Sequence, residues 1–307
     1  MSIFDRPLAA LLPFVPRFIV GRVSRAYIAG ATLDSAIGRV RDLNDLGAGA
    51  TLDLLGEELH EADQWRATAA GYREAIAAIA AAGVKSGVSL KLTAFGLMKD
   101  PALTKELVTE ILVDARAAGR FVRLDMEDAT TTDATLDLYR ELRSDGFDNV
   151  GVVLQTCLRR TLDDARALAA VKADVRVVKG IYIEPEEISW RDPQVIRENY
   201  VRVVRTLLAA GCRVAAATHD EVLVHETRIA MEELGVDREM VEFQMLLGVR
   251  EELRDGILAN GFRMRVYVPY GEKWYEYSMR RLRENPAMAG HITRAMLGRM
   301  FSRRRKT

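Results

Sequence analysis

The chain repeats one pattern of apolar and polar positions. A segment with helical periodicity ends in a glycine, and a short run of apolar and β-branched residues follows. The glycines are Gly47, Gly83, Gly119, Gly146, Gly211, Gly235 and Gly261. Glycine reaches the left-handed conformation that closes a helix, so each is a predicted helix stop. The runs that follow are ATLDLL, GVSLKLT, FVRLDME, NVGVVLQT, RVAAATH, EFQMLL and FRMRVYVP. An eighth run, DVRVVKGIY, is preceded by KAD instead of a glycine. Between these candidate strands lie helical patterns. TKELVTEILVDARAA sets Leu107, Ile111, Leu112 and Ala115 on one stripe, the spacing of an amphipathic helix. DATLDLYRELRS, RTLDDARALAAV and RENYVRVVRTLLAA read the same way. Alternating strands and helices imply parallel strands joined by crossovers. Eight such units in 307 residues predict an α/β fold of the closed (βα)8, TIM-type barrel class, with a doubly wound open sheet as the alternative. No Pro/Ser-rich linker divides the chain, so one domain is expected, with a helical N-terminal arm over 1–46 and the barrel over 47–307.

Composition narrows the function classes. Apolar residues make up 49% of the chain, enough for a large core. Lys and Arg number 44 against 44 Asp and Glu, so no net positive charge points to nucleic acid as a partner. Cys157 and Cys212 stand alone, in no CxxC spacing, which argues against a disulfide scaffold or a structural zinc site. GAGATLDLLG resembles a dinucleotide-binding loop, but it lacks the third glycine and precedes a strand. No Walker A sequence is present, and no run reaches the ~18 apolar residues of a membrane span. LAALLPFVPRFIVG is broken by Pro13, Pro16 and Arg17 and reads as an arm packed on the domain rather than a signal peptide. The tail FSRRRKT reads as a solvated end, with weak contact to anionic lipid as the alternative.

In a barrel, chemistry gathers at the C-terminal ends of the strands. The predicted ends carry Glu57, Lys91, Asp125, Glu127, Gln155, Lys179, Tyr182, Thr218, His219, Gln244 and Tyr267. A buried charge is costly unless paired, so convergence of this many polar groups on one mouth points to a site. Lys91, between apolar neighbours in SLKLTAF, is expected to pair with Asp125 or Glu127, to hold an anionic substrate group, or to form a Schiff base. THDEVLVHE holds His219, Asp220, Glu221, His225 and Glu226, but the H-x5-H spacing matches no usual single-face ligand pair, and no metal is expected. His225 is expected on a solvated helix face. EKWYEYSMRRLREN predicts a helix that stops before Pro286. Tyr277, Arg280, Arg281 and Glu284 share one face of it, either as a bidentate grip on a carboxylate or as an ordinary charged surface. These residues leave three classes open: a Schiff-base lyase using Lys91 or Lys179, a metal-dependent hydrolase built on His219, and a barrel that binds a ligand without turnover.

An ordered set of motifs runs through the same segments: SLKLTA, RLDMED, VVLQ, RVVKGIY, ATHDE, FQMLLG, RVYVPYGE and YSMRRLREN. On these the chain resembles the bacterial monofunctional proline dehydrogenases, flavoenzymes with a distorted (βα)8 barrel, over nearly its whole length. The resemblance implies non-covalent FAD and oxidation of L-proline to Δ1-pyrroline-5-carboxylate, with hydride passing from C5 to the flavin N5. It also implies a quinone as electron acceptor, a downstream Δ1-pyrroline-5-carboxylate dehydrogenase, and a cytoplasmic protein with a peripheral contact at the inner face of the membrane. Substituted prolines remain alternative substrates. Carried onto matching positions, Lys91, Arg280 and Arg281 clamp the proline carboxylate, and Glu57 pairs with Arg280 on closure. Asp125 pairs with the substrate-site lysine, and Tyr267, Tyr277 and Tyr182 wall the ring. Met126, Gln155, Arg176, Lys179, Gly180, Ile181, Thr218 and His219 contact FAD, with Arg176 near the reactive nitrogen. Two departures stand out. LQTC replaces the family's LQAY at Thr156 and Cys157, and KGIYI replaces a KGAYW-like run at Ile181 and Ile183.

Overall fold

The computed structural model describes residues 21, 24, 26–56, 59–275 and 277–279. Eight parallel strands close into a barrel in chain order. They are β1 (Gly49–Leu54), β2 (Ser86–Lys91), β3 (Val122–Asp125), β4 (Val150–Gln155), β5 (Asp174–Val178), β6 (Arg213–Ala217), β7 (Val241–Leu246) and β8 (Arg263–Tyr270). Closure is made by β8 pairing with β1, from Gly49 opposite Arg265 to Leu54 opposite Tyr270. Helices α1 (Leu33–Asp45), α2 (Ala62–Ala81), α3 (Pro101–Ala117), α4 (Thr132–Ser144), α5 (Thr161–Ala170), α6 (Pro193–Ala209), α7 (Glu221–Leu234) and α8 (Glu251–Ala259) surround it.

Local chemistry sets the helix ends. Asp100 and Asp192 cap α3 and α6 through their carboxylates, each with proline next in the chain, where a missing N–H costs nothing. All seven glycines expected to stop helices adopt positive φ. At the eighth connection, where KAD stands in place of glycine, Lys172 itself takes the left-handed conformation, with φ 48°. Geometry demands that turn whichever residue occupies it.

Alternate strand residues face outward and form the main core against the helices. Leu52, Leu90, Leu124, Val152, Val177, Phe243 and Val268 are all fully buried there. The predicted stripe of α3 lies in the same layer, with Leu107, Ile111, Leu112 and Ala115 buried. Inward positions are polar to an unusual degree, since barrel interiors are commonly filled by branched apolar side chains. Arg123 donates to Asp174 at 2.5 Å. Arg265 grips Glu242 through Nε at 2.6 Å and Nη2 at 3.1 Å.

The barrel departs from an ideal one at its seam. The helix that packs across β8 and β1 is α1, which comes before the first strand. Residues 274, 275 and 277–279, after β8, are helical and lie at the mouth instead. There Tyr277 packs with Ile28, Leu55 and Trp274. Among the described residues no helix is long and apolar enough to cross a membrane.

Candidate active site

A cavity of about 800 Å³ opens at the C-terminal ends of the strands. Its volume suits a ligand much larger than a single amino acid. Lys91, Asp125 and Tyr267 line one part, with Tyr277 reaching in from the segment after β8. Met126, Gln155, Arg176, Lys179, Gly180, Ile181, Tyr182, Thr218 and His219 line the rest. Every candidate site residue within the described part of the chain therefore meets at one mouth. Glu57, Arg280 and Arg281 lie outside the described residues.

The charges divide differently from the pairing expected in the sequence. Lys91 and Asp125 are register partners on β2 and β3. Yet Lys91 donates from Nζ to both carboxylate oxygens of Asp53 on β1, at 2.7 Å each. Asp53 is fully buried, and a buried carboxylate demands a partner. Tyr72 supplies a longer hydrogen bond to the same group, 3.4 Å. Asp125 is occupied elsewhere. Its Oδ1 accepts from Arg176 Nη1 at 2.5 Å and Ser89 Oγ at 2.7 Å, and its Oδ2 accepts from the Tyr267 hydroxyl at 2.8 Å. The expected Asp125–Lys91 pair is thus replaced by Asp53–Lys91 and Asp125–Arg176. Glu127, the other partner considered for Lys91, accepts from the Thr93 N–H and hydroxyl. Burial pushes its carboxyl up from the ordinary value.

Arg176 is the best-buried cation of the mouth, at 6% exposure. Its Nε donates to Gln244 Oε1 at 2.7 Å, and Nη1 donates to Asp125 and, at 3.2 Å, to Ser89. Nη2 has no partner among the described residues. Burial draws the guanidinium below its ordinary value, opposed by the charge of Asp125. Burial raises Tyr267 well above its ordinary value, reinforced by Asp125 and Asp53, so its hydroxyl stays a donor.

The opposite wall is cationic and polar. Lys179 and Arg197 both donate to Asp220, at 3.1 and 2.8 Å. Burial works against that carboxylate, yet the two cations hold it below the usual range. His219 Nε2 accepts the backbone N–H of Leu246 at 2.9 Å, which makes Nε2 the unprotonated nitrogen of a neutral ring. Gln155 Nε2 donates to the Glu127 carbonyl at 2.7 Å. Gly180 has φ +105°, and a Cβ there would overlap Cys157 Sγ. Cys157 also donates its backbone N–H to the Lys179 carbonyl at 2.7 Å, and its Sγ packs against Gly180. Ile183, by contrast, is 89% exposed.

His225 is exposed on α7, as expected from its spacing. Among the described residues no group of three or more His, Cys, Asp or Glu is placed to hold a metal ion. Sequence reasoning passed over Asp53, Ser89 and Arg197. The signal for Asp53 was an acid inside the apolar run TLDLL. Ser89 and Arg197 carry no such mark, because only the barrel's closure brings them to the site.

The chain is similar to known proteins along most of its length. The family model described as proline dehydrogenase matches residues 36–294. Proline dehydrogenase of Deinococcus radiodurans is 37% identical over 303 residues, 97% of this chain and 96% of that protein. Proline dehydrogenase 2 of Bacillus subtilis strain 168 is 38% identical over 260 residues, 85% of this chain and 86% of that protein. Among solved structures, proline utilization A of Bdellovibrio bacteriovorus, inactivated by N-propargylglycine, superposes with a TM-score of 0.79 at 25% identity. The match covers 85% of this chain and 32% of that one, so this chain spans about a third of the solved protein.

Proposed function

The chain belongs to the proline dehydrogenase family, and from that premise we propose that it oxidises L-proline to Δ1-pyrroline-5-carboxylate with non-covalent FAD. The observation that carries this reading is the buried Arg176, anchored by Asp125 and Gln244, with Nη2 unpartnered among the described residues, beside a cavity too large for proline alone. The donor set fits FAD. Met126, Gln155, Arg176, Lys179, Gly180, Ile181, Thr218 and His219 would hold it, and the cations suit an electron-rich ring and phosphates. When bound, FAD supplies the two-electron acceptor for the hydride that leaves proline C5.

The remaining work falls to the chain's own side chains. Lys91, braced on Asp53, would hold the proline carboxylate together with Arg280 and Arg281. Glu57 would pair with Arg280 as the site closes. Tyr182, Tyr267 and Tyr277 would wall the ring and fix its orientation, where much of the rate gain lies. Asp125 acts as a positioning residue, because its oxygens already accept from Arg176, Ser89 and Tyr267. The ring nitrogen must be neutral so that its lone pair forms the new C=N bond. A neutral amine can be drawn from solution, so no side-chain base is required. Electrons would pass on to a quinone, at a peripheral contact with the inner face of the membrane. The imine product would go to a dehydrogenase.

Turnover tests this reading directly. FAD-loaded protein given L-proline and a soluble quinone should yield an imine two hydrogens lighter than proline. Failure to consume proline under those conditions rejects the assignment. Borohydride fixation of a carbonyl compound onto Lys91 would point to the lyase instead.

A further inference from the structure

A chain of hydrogen bonds continues from Arg176 towards the opposite end of the barrel. Gln244 and Glu242 lie two residues apart on β7. Gln244 presents Oε1 to Arg176 Nε, and its Nε2 donates to Glu242 Oε1 at 2.7 Å. Glu242 is held in turn by the Arg265 fork, and more loosely by Arg263 at 3.4 Å. Arg265 is tied to the Ala50 carbonyl at 2.6 Å. Glu242 lines a small cavity at the N-terminal end of the barrel and does not line the mouth.

An amide side chain can be turned over, exchanging its oxygen and nitrogen. Turned over here, the Gln244 NH2 would face the Arg176 N–H, donor against donor. Its oxygen would then face the Glu242 carboxylate, acceptor against acceptor. An ionised carboxylate at 242 only accepts and so enforces this from below, whereas a neutral amide there could pair with Gln244 either way round. Burial works against that ionisation, but Arg265, Gln244 and Arg263 hold the carboxyl below its ordinary value.

We propose that Glu242 is a positioning residue for the redox step: through Gln244 it locks the Arg176 guanidinium in the orientation that leaves Nη2 open. This rests on the reading that FAD sits against Arg176. A cation fixed beside the acceptor favours its reduced, electron-rich form. Loosening that cation should make reduction harder without disturbing the proline clamp.

The test uses FAD-loaded wild type, Glu242→Gln, Gln244→Met and the double variant, with the potential of the bound flavin as the readout. Each single variant should shift the potential by ~30 mV to the negative, a tenfold change for a two-electron couple. Catalytic turnover should fall about tenfold while the proline KM stays within about twofold. The double variant should shift no further than Gln244→Met alone, because residues acting through one another are non-additive. An unchanged potential in either single variant, or additive shifts in the double, overturns the proposal. If Glu242→Gln fails to fold, Gln244→Met decides, and a wild-type potential there is contradictory. Wild type that binds no FAD overturns the functional reading and this inference with it. Wild type that proline reduces, beside variants of unchanged potential, overturns this inference alone.

Discussion

Asp125 shows how one side chain can gather several others at a barrel mouth. It accepts from Arg176, Ser89 and Tyr267, which came from three different strands. Lys91 answers instead to Asp53, 38 residues away in sequence. Position, residue type and the apolar setting of Lys91 were readable from SLKLTAF. Its partner was not, because a four-carbon stem chooses among acids that only the barrel's register brings near. The proposed clamp leads to a clear expectation for Arg281→Met. FAD should stay bound, while the proline KM rises by orders of magnitude, since losing a buried charged contact costs ~2–5 kcal/mol. A near-normal KM would reject the clamp. Gly180 gives a second expectation. At φ +105° and against Cys157, Gly180→Ala should weaken FAD binding about tenfold or more, through ~1–3 kcal/mol of backbone strain. Cys157→Ser should leave turnover within about threefold, since it keeps the backbone bond to Lys179. Flavin titration and steady-state rates check both.

At the scale of elements, the repeated unit was legible because each part has a local cause. Apolar β-branched runs made the strands, and left-handed residues closed the helices before them. The differences also have local causes. DVRVVKGIY predicts a longer strand, but β5 ends at Val178, because Gly180 turns the chain at φ +105°. β3 ends at Asp125, which leaves Met126 and Glu127 of FVRLDME in the following loop. The place of α1 in the outer ring was not legible, since no periodicity says which strands a helix will cover. Lys172 offers a test at this scale. It holds φ 48° on the surface, where a side chain costs ~1–2 kcal/mol relative to the right-handed form. Lys172→Gly relieves that strain while adding unfolded-state freedom, so denaturant unfolding should show a gain of about 0.5–1 kcal/mol. A loss would mean the lysine makes a contact that matters more than its backbone.

For the whole molecule, the lesson lies in the barrel's interior. Its outward layer is an ordinary apolar core, but its inside carries Arg123, Asp174, Arg176, Glu242 and Arg265 in paired form. Buried pairs of this kind add little net stability, though breaking one is costly. Of these five, Arg176 reaches the mouth, while the others line the cavity at the N-terminal end. A paired carboxylate at the mouth also makes stability depend on acid. Asp220 is held below its ordinary value against the cost of burial, by Arg197 and Lys179. Its stabilisation is therefore present above the unfolded carboxylate value, about 3.9, and is lost as pH falls through the lower folded value. Asp220→Asn keeps an oxygen for the cap of α7, where Val222 N–H donates at 3.2 Å. It should cost ~1–3 kcal/mol at neutral pH. Melting curves should show that difference shrinking below about pH 4. A difference that persists unchanged into acid would assign the loss to packing.

The central claim is that this barrel couples L-proline to a flavin bound at its mouth. The most direct measurement is the visible absorbance spectrum of the purified, FAD-loaded protein before and after anaerobic addition of L-proline. The account predicts flavin bands that bleach when proline is added. A protein that takes up no FAD, or whose flavin bands proline leaves unchanged, would contradict it.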